Sequence, residues 1–335
     1  MNVPLITVVI PFYNSEKWLA ATLDSVLAQT WLRIEIVLVD DGSTDQSYAV
    51  ARQYSNRKDV CLLRQANAGA CSARNRGLSK GQGDFVQFLD ADDLLHPDKL
   101  RLQLAALAES PPICAATCRY GIFKDNVAQA RFYEDQLWRN LAPVEWLVRA
   151  WSQNAAMPTV AWLASRQAVE AAGPWNEKLP KNPNDDGEFF TRLMLNCQQV
   201  VFCADARAFY RADNANGVAS GRSAQAMESL LAAAVLCGEH LSRFEDSDQT
   251  RFASGRLLAN VARKLYPLDP DLANRAEALA KAFLKCDVQF ETDYARHAVE
   301  RLLGWRRLAQ LRFVRQRWLE KISIKSFEMI GGRRP

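Results

Sequence analysis

The chain has 335 residues, of which 49% are hydrophobic and 24% charged, a balance typical of a soluble globular protein with room for one large α/β domain and a smaller appendage. No apolar run approaches the roughly 18 residues that a membrane-spanning helix needs, and no basic, apolar leader follows Met1. The eight cysteines form no Cys-x-x-Cys pair and no zinc-like cluster. We therefore expect a cytoplasmic protein with free, buried thiols.

The net charge of +4 is unevenly distributed along the chain. From Arg296 onwards there are 11 Lys/Arg residues against 3 Asp/Glu residues. Apolar residues recur at helical spacing over 294–322, with Trp305 and Trp318 among them and arginines on the other faces. This pattern predicts that residues 294–335 bind an anionic membrane surface as a basic amphipathic helix. Packing against the rest of the fold is the alternative, and nucleic acid is not expected because no recognised motif accompanies the charge.

Alternating strand and helix patterns run through the first part of the chain. Continuous apolar, β-branched runs predict buried strands at residues 5–10, 34–39, 60–63 and 85–89, and helical spacing predicts helices at 15–29 and 70–78. Such alternation is typical of an α/β fold with a mostly parallel sheet flanked by helices. Further along we expect helices at 97–109, 144–151, 166–172 and up to 195, and strands at 113–120, 159–164, 200–203 and 206–210.

Beyond Arg222 the Pro and Gly residues thin out and the pattern becomes helical. We therefore expect an α/β domain over residues 1–220 and an α-helical C-terminal region over 221–335 that ends in the basic tail.

Polar residues follow the predicted parallel strands at the points where those strands end. Ligands of open α/β sheets bind just outside the carboxyl ends of the strands. The segment 11–14 follows the first strand, Asp40 and Asp41 follow the second, and Asp90, Asp92 and Asp93 follow the fourth. Three carboxylates this close repel one another unless a hard divalent cation lies among them. Arg74 and Arg76, at the start of a helix, can donate bidentate hydrogen bonds to phosphates or base edges.

Each of these loops also has a simpler interpretation, as a helix cap or an exposed basic face. Their coincidence at one sheet edge favours a nucleoside diphosphate bound with a divalent ion. Neither a Gly-x-Gly-x-x-Gly fingerprint nor a P-loop is present.

Four motifs, in this order and spacing, resemble the family 2 glycosyltransferases over about residues 3–100. They are Val9-Ile-Pro-Phe-Tyr-Asn14, Val39-Asp-Asp-Gly-Ser-Thr-Asp45, Asn67-Ala-Gly69 followed by Ala73-Arg-Asn75, and Phe88-Leu-Asp-Ala-Asp-Asp93. Further on, Gly173-Pro-Trp-Asn-Glu177 resembles the family's Gly-Gly-Phe-Asp-Glu element, and Asp185-Asp-Gly-Glu-Phe189 resembles its acceptor-site motif. The resemblance therefore reaches to about residue 212.

The resemblance implies a GT-A fold, a nucleotide-diphosphate sugar donor, Mg²⁺ or Mn²⁺, and inversion at the anomeric carbon. Residues 1–120 would then form the nucleotide-sugar half and 121–220 the acceptor half. It also implies a glycan or lipid-linked acceptor, in surface polysaccharide or lipopolysaccharide biosynthesis at the inner face of the plasma membrane.

The resemblance further assigns roles to individual residues. Asp92 and Asp93 would hold the metal. Asp186 would be the catalytic base, with Asp185 raising its pKa by like-charge repulsion and Glu188 as the fallback base. The nucleotide donor would contact a third group: Pro11, Tyr13, Asp40, Asp41, Arg74 and Asp90.

Two departures from the family pattern leave a second hypothesis open. The family usually has Glu-Asp where this chain has Asp185-Asp186, and the expected histidine after Tyr210-Arg211 is missing, so Asp213 or Asn214 would have to replace it. The alternative is a membrane-associated, nucleotide-binding module with little or no transferase activity. A nucleotidyltransferase is disfavoured, since the segment 11–14 lacks the Gly-rich basic loop of that class.

Overall fold

The computed structural model describes residues 3–212 and 222–284, with a few positions between 306 and 314. Asp213, Asn214 and most of the basic tail lie outside the described residues. The chain divides into two compact units, residues 1–253 and 254–335. The boundary that we placed near residue 220 stays a prediction. Within the described part of the chain, no helix is long and apolar enough to span a membrane.

The first half of the sheet consists of four parallel strands, as the alternating pattern predicted. They are β1 (Ile6–Phe12), β2 (Ile34–Asp40), β3 (Val60–Arg64) and β4 (Phe85–Phe88), arranged in the order β3-β2-β1-β4. Three helices connect them: α1 (Leu19–Leu27), α2 (Ser47–Tyr54) and α3 (Ala70–Lys80). Strand β1 is buried along its whole length, as expected for a central parallel strand covered on both faces.

The sheet continues beyond β4 with shorter and partly antiparallel pairings. Strand β8 (Leu163–Ser165) runs antiparallel to β4 and to β6 (Cys114–Phe123), and β6 pairs in parallel with β9 (Gln199–Arg211). The short strands β5 (Leu94–Leu95) and β7 (Arg131–Phe132) pair with β9 and β6. The predicted α/β class with a mostly parallel sheet is therefore confirmed.

Helices flank this half of the sheet and extend to the end of the first unit. They are α4 (Lys99–Ala108), α5 (Pro143–Gln153), α6 (Arg166–Ala172), α7 (Asp185–Asn196) and α8 (Ala224–Phe244). Helix α8 packs against α7. Helix α9 (Asp248–Leu265) begins in the first unit and continues into the second, where α10 (Pro270–Leu284) follows.

Three predicted elements differ in the structure. The first helix begins at Leu19 rather than Ser15. Residues 16–18 form a turn before it, closed by bonds from the Trp18 and Leu19 amides to the Ser15 carbonyl, each 3.0 Å long. The strand predicted over 159–164 is wrong in its first half, where residues 159–161 form a 3₁₀ turn after Pro158. The two late strands are one strand, β9, whose pairing with β6 jumps from Cys203 to Arg207 and leaves a bulge between them.

Helix α3 lies unusually close to the sheet. Gly77 faces Val9 of β1, and a Cβ atom at this position would overlap the Val9 side chain. The absence of a side chain at Gly77 therefore lets α3, which carries Arg74, approach the strands.

Lys99 is fully buried in the core without a carboxylate partner. Its ammonium group donates to the side-chain oxygens of Gln87 and Gln103, the latter at 2.7 Å, and to the Trp162 carbonyl at 3.3 Å. Burial lowers the pKa of Lys99 from 10.5 to about 8, against weaker raising effects from Cys118 and Cys203. Between these two pKa values the unfolded chain binds a proton that the folded chain does not.

The stability that Lys99 contributes should therefore rise with pH. We predict that the unfolding free energy of the unmutated chain, relative to Lys99→Met, increases by about 2 kcal/mol between pH 8 and pH 10. Urea denaturation at a series of pH values measures this difference. The exposed Lys58→Met variant is the control and should show no such trend. A pH-independent difference between Lys99→Met and the unmutated chain would contradict the prediction.

Candidate functional site

The loops after β1 and β2 are held together by hydrogen bonds at the carboxyl edge of the sheet. Asn14 adopts a left-handed conformation (φ 49°), and its side chain accepts the Thr44 amide at 2.8 Å. Its own amide donates to the Ser43 hydroxyl at 3.1 Å. Asn tolerates this backbone region better than most residues. These bonds hold the loop after β1 and the loop after β2 side by side in a fixed arrangement.

Asp40 and Asp41 at the end of β2 are buried and already bonded. Asp40 accepts the Ser43 amide at 2.9 Å and pairs with Arg64 Nε at 3.0 Å. The Asp41 carboxylate accepts the amides of Ala68 and Gly69 at 2.9 and 2.8 Å, together with the Gln65 side chain. Both acids thus shape the loops, and their contact with a nucleotide base stays a prediction.

Pro11 and Tyr13 occupy opposite environments. Pro11 is buried within β1, where it pairs with Val39. Tyr13 lies beyond the strand end and is 48% exposed. Of the two, only Tyr13 presents a ring on which a base could stack.

Arg74 on α3 is buried, with 4% of its side chain exposed. Its Nη2 donates to Asp90 at 2.8 Å and its Nη1 donates to Asp185 at 2.6 Å. Burial opposes its charge, but Asp185 and Asp90 outweigh this effect and hold the pKa of Arg74 above its ordinary value. The structure therefore brings together Arg74, Asp90 and Asp185, three candidate site residues identified from the sequence.

The acidic loop after β4 places Asp93 inside the protein and leaves Asp92 partly exposed. Asp93 Oδ1 accepts the Arg211 amide at 2.8 Å, whereas its Oδ2 is buried without a hydrogen-bond partner. Burial, followed by the charges of Asp92 and Asp90, raises the pKa of Asp93 well above its ordinary value. This carboxylate is held in place with one oxygen unsatisfied.

Arg211, at the end of β9, supports the acidic loop in a way that the sequence interpretation missed. Its guanidinium lies 3.9 Å from the centre of the Trp18 ring and 4.3 Å from that of Phe123. It donates to the Asp92 carbonyl at 2.9 Å and to the Lys124 carbonyl. The available signal was its place in the Tyr210-Arg211 motif, two residues before the position of the missing histidine.

Asp185 and Asp186 open α7, where acidic side chains are favoured by the helix dipole. Asp185 is engaged by Arg74, and the Cys71 thiol lies 3.8 Å from the same oxygen. Asp186 Oδ1 accepts only the amide of its neighbour Gly187, at 2.9 Å. Burial, together with the charge of Asp185, raises the pKa of Asp186 to about 7. The structure thus gives the two adjacent acids different environments.

Glu188 faces a different set of residues. It pairs with Arg192 through two bonds, at 2.7 and 2.8 Å, and with His240 of α8 at 3.3 Å. Burial alone would raise the pKa of Glu188, but the bonds from His240 and Arg192 lower it. These contacts give Glu188 a structural position between α7 and α8, and its role as fallback base stays a prediction.

Tyr210 and Asn75 are two further site residues that the sequence interpretation missed. Burial, followed by the charges of Asp93, Asp90, Asp92 and Asp186, raises the pKa of the Tyr210 hydroxyl. Asn75 exchanges bonds of 2.8 and 3.0 Å with the Trp175 backbone and thereby ties α3 to the segment before α7. Asn75 stands in the Ala-Arg-Asn motif, which was the available signal.

The acidic loop fits a divalent cation that is shared with a ligand. Among the residues that the structure describes, no three His, Cys, Asp or Glu side chains are grouped closely enough to hold a metal by themselves. Mg²⁺ in nucleotide sites is usually held by one or two carboxylates, with phosphate oxygens and water completing the shell. The unsatisfied Oδ2 of Asp93 beside the partly exposed Asp92 matches this requirement.

Solved structures with the same fold support the architecture. Staphylococcus aureus TarS 1–349 in complex with UDP-GlcNAc is similar over 84% of this chain and 89% of that one, with 19% identity and a TM-score of 0.60. The mannosyltransferase PcManGT from Pyrobaculum calidifontis, in complex with GDP-Man and Mn²⁺, is similar over 93% and 84%, with 17% identity and a TM-score of 0.53. At these identities the likeness shows the fold, which is the GT-A type.

Sequence relatives match about a third of the chain. An uncharacterized glycosyltransferase of Haemophilus influenzae is 42% identical over 106 residues, which are 31% of this chain and 42% of that protein. Streptococcus pneumoniae glycosyltransferase GlyA is 36% identical over 129 residues, or 38% of this chain and 18% of that protein. The matched segments thus span less than half of these relatives. The model of glycosyl transferase family 2 matches residues 7–171, and through this domain the chain belongs to glycosyl transferase family 2.

Proposed function

We propose that the protein is an inverting, metal-dependent glycosyltransferase that moves a sugar from a nucleoside-diphosphate donor to an acceptor hydroxyl. One observation carries the proposal: the Arg74 guanidinium donates both to Asp90 of the acidic loop after β4, at 2.8 Å, and to Asp185, the neighbour of Asp186, at 2.6 Å. A leaving-group site and a base are therefore adjacent. Family membership supports this assignment, as do the sugar nucleotides bound by the neighbours TarS and PcManGT.

Asp186 is the proposed base. Its carboxylate accepts the proton of the acceptor hydroxyl while the hydroxyl oxygen attacks the anomeric carbon from the face opposite the diphosphate. The bond from the anomeric carbon to the diphosphate oxygen breaks, its electron pair leaves with the diphosphate, and the configuration is inverted. A pKa near 7 suits this task, because about half of the Asp186 carboxylates are ionised at neutral pH and the carboxylate still binds a proton well.

A divalent cation would be held by Asp92, with Asp93 beside it and Asp90 supporting the loop. When bound, Mg²⁺ or Mn²⁺ stabilises the negative charge that develops on the leaving diphosphate. Arg211 keeps this loop in place through the Asp92 carbonyl and the Asp93 carboxylate. Tyr13, exposed just beyond the end of β1, offers a surface for the base of the nucleotide.

The acceptor is proposed to be a glycan or a lipid-linked sugar in surface polysaccharide or lipopolysaccharide biosynthesis. Residues 294–335, which lie largely outside the described part of the chain, would hold the enzyme on the cytoplasmic face of the plasma membrane. Their charge and tryptophans support this proposal.

Removal of the Asp186 carboxylate should abolish the chemistry and spare binding. We predict that Asp186→Asn lowers the turnover of donor hydrolysis about 10²–10⁴-fold, with UDP or GDP affinity unchanged. In the unmutated chain the rate should fall as the pH drops below about 7, since protonated Asp186 cannot act as a base. Release of UDP from UDP-GlcNAc and of GDP from GDP-mannose, each with Mn²⁺, measures both effects.

The control for this experiment is Asp59→Asn, which changes an acid at the amino-terminal edge of the sheet, before β3. Equal turnover by Asp186→Asn and the control would contradict the role of Asp186. An unmutated chain that binds the nucleotide and turns over no donor would favour a binding module instead.

Asp92 should determine the response to metal. We predict that Asp92→Asn raises at least tenfold the Mn²⁺ concentration needed for half-maximal thermal stabilisation by UDP or GDP, because a neutral amide is a weaker ligand for a hard cation. Thermal unfolding at increasing Mn²⁺ measures this shift. Asp98→Asn, an exposed change at the start of α4, is the control. An unchanged Mn²⁺ requirement would show that Asp92 is not the metal residue.

Truncation tests the membrane proposal. A chain ending at residue 293 should lose at least tenfold in its binding to vesicles that contain anionic lipid, and neutral vesicles should bind neither form. Vesicle co-sedimentation measures the bound fraction. Equal binding of the truncated and full-length chains would contradict the proposed role of the tail.

A further inference from the structure

Arg74 connects two parts of the site that come from distant segments of the chain. Asp90 follows β4 and belongs to the acidic loop, whereas Asp185 opens α7 beside the proposed base. One guanidinium donates to both carboxylates, at 2.8 and 2.6 Å. The three side chains are 34%, 4% and 13% exposed in the order Asp90, Arg74 and Asp185, so the bridge is screened from solvent at its centre.

The ring of Trp175 also packs against the Arg74 guanidinium. The central carbon of the guanidinium lies 4.3 Å from the centre of the Trp175 ring, and Trp175 stacks on Phe189 of α7 at 4.1 Å. Asn75, the next residue on α3, holds the Trp175 backbone. Arg74 is therefore packed in a rigid environment of charge and aromatic contacts rather than extended into open solvent.

This environment disagrees with the role that the family resemblance assigned to Arg74. Each terminal nitrogen already donates to a carboxylate, and the remaining Nε is buried without a partner, out of reach of a ligand that arrives from solvent. An arginine that binds a nucleotide would need its donors free. Here those donors are committed to two acids of the protein.

We propose that Arg74 is a positioning residue that ties the acidic loop to the start of α7 and so sets the position of Asp186 relative to the bound donor. The inference rests on the proposed transferase function and extends it. Without the guanidinium, Asp90 and Asp185 would face one another and Asp186 as uncompensated negative charges. The loop and the helix would separate, and the base would leave its place beside the sugar.

The contact between Arg74 and Asp185 also gives the two adjacent acids of α7 different hydrogen-bond partners. Asp185 is committed to Arg74, while Asp186 keeps one carboxylate oxygen without a protein donor among the described contacts. The bridge therefore directs the proton-accepting role to Asp186 and makes Asp185 a structural partner.

The test compares Arg74→Met and Arg74→Lys with Lys80→Met, a change of an exposed basic residue in the last turn of the same helix. Isothermal titration with UDP and with GDP, each with Mn²⁺, gives the nucleotide affinity. Release of UDP from UDP-GlcNAc or of GDP from GDP-mannose gives kcat and KM. We expect Arg74→Met to lower kcat at least 100-fold with nucleotide Kd within threefold of the unmutated value. Arg74→Lys should recover part of the loss, and Lys80→Met should change neither kcat nor Kd.

The pH profile of kcat supplies a readout that a purely structural role would not move. Loss of the positive charge in Arg74→Met should shift the acid limb to higher pH. Loss of the neighbouring negative charge in Asp185→Asn should shift it to lower pH, because Arg74 favours and Asp185 disfavours ionisation of Asp186. Asp185→Asn also serves if Arg74→Met fails to fold, since the Asp185→Asn substitution keeps one side-chain oxygen that can accept a hydrogen bond from Arg74.

Several results would overturn the inference. A nucleotide Kd raised more than tenfold in folded Arg74→Lys, with kcat unchanged, would make Arg74 a nucleotide ligand. Shifts of the pH profile in the same direction for Arg74→Met and Asp185→Asn would contradict the charge arrangement. An unmutated chain without turnover would overturn the transferase function itself, and the inference with it. If the unmutated chain turns over donor and only the variants behave differently from expectation, the inference about Arg74 alone fails.

Discussion

The site depends on the balance of charge around one buried guanidinium. Five carboxylates, Asp90, Asp92, Asp93, Asp185 and Asp186, converge at the carboxyl edge of the sheet, and such a group repels itself in a poorly solvated environment. Arg74 pairs with Asp90 and Asp185, which come from the two segments, and Arg211 holds the acidic loop through the Asp92 carbonyl and the Asp93 carboxylate. Two features remain uncompensated by these contacts: one carboxylate oxygen of Asp93 has no hydrogen-bond partner, and the pKa of Asp186 is raised. Those two remaining features are the ones suited to a cation and to a base.

The fold makes this balance possible by bringing distant segments to one edge. Parallel strands β1, β2 and β4 end side by side, so the loops that follow them meet. The close approach of α3 at Gly77 carries Arg74 into the same region. The aromatic stack of Trp175 on Phe189 then seats α7 against Phe88 of β4. Each step depends on local sequence features, but their combination produces a buried ion pair between residues that are 111 positions apart.

The early strands, the acidic loop and the two acids of α7 could be predicted from the sequence because each has a local signal. Continuous β-branched runs gave the strands, and their alternation with helices gave the α/β class. The protein contacts of Asp41 could not be predicted in this way, because its donors come from the conformation of residues 65–69. The pairing of Arg74 with Asp185 depends on a long-range contact that no spacing encodes. The bulge in β9, which precedes Tyr210 and Arg211, likewise depends on pairing with β6.

A crystal structure of the chain with Mn²⁺ and a bound UDP or GDP sugar would test the account most directly. We expect that Arg74 still bridges Asp90 and Asp185 in the complex, that the metal contacts Asp92, and that Asp186 faces the anomeric carbon from the side opposite the diphosphate. An Arg74 side chain turned onto the nucleotide, with Asp185 released towards the sugar, would contradict the central claim.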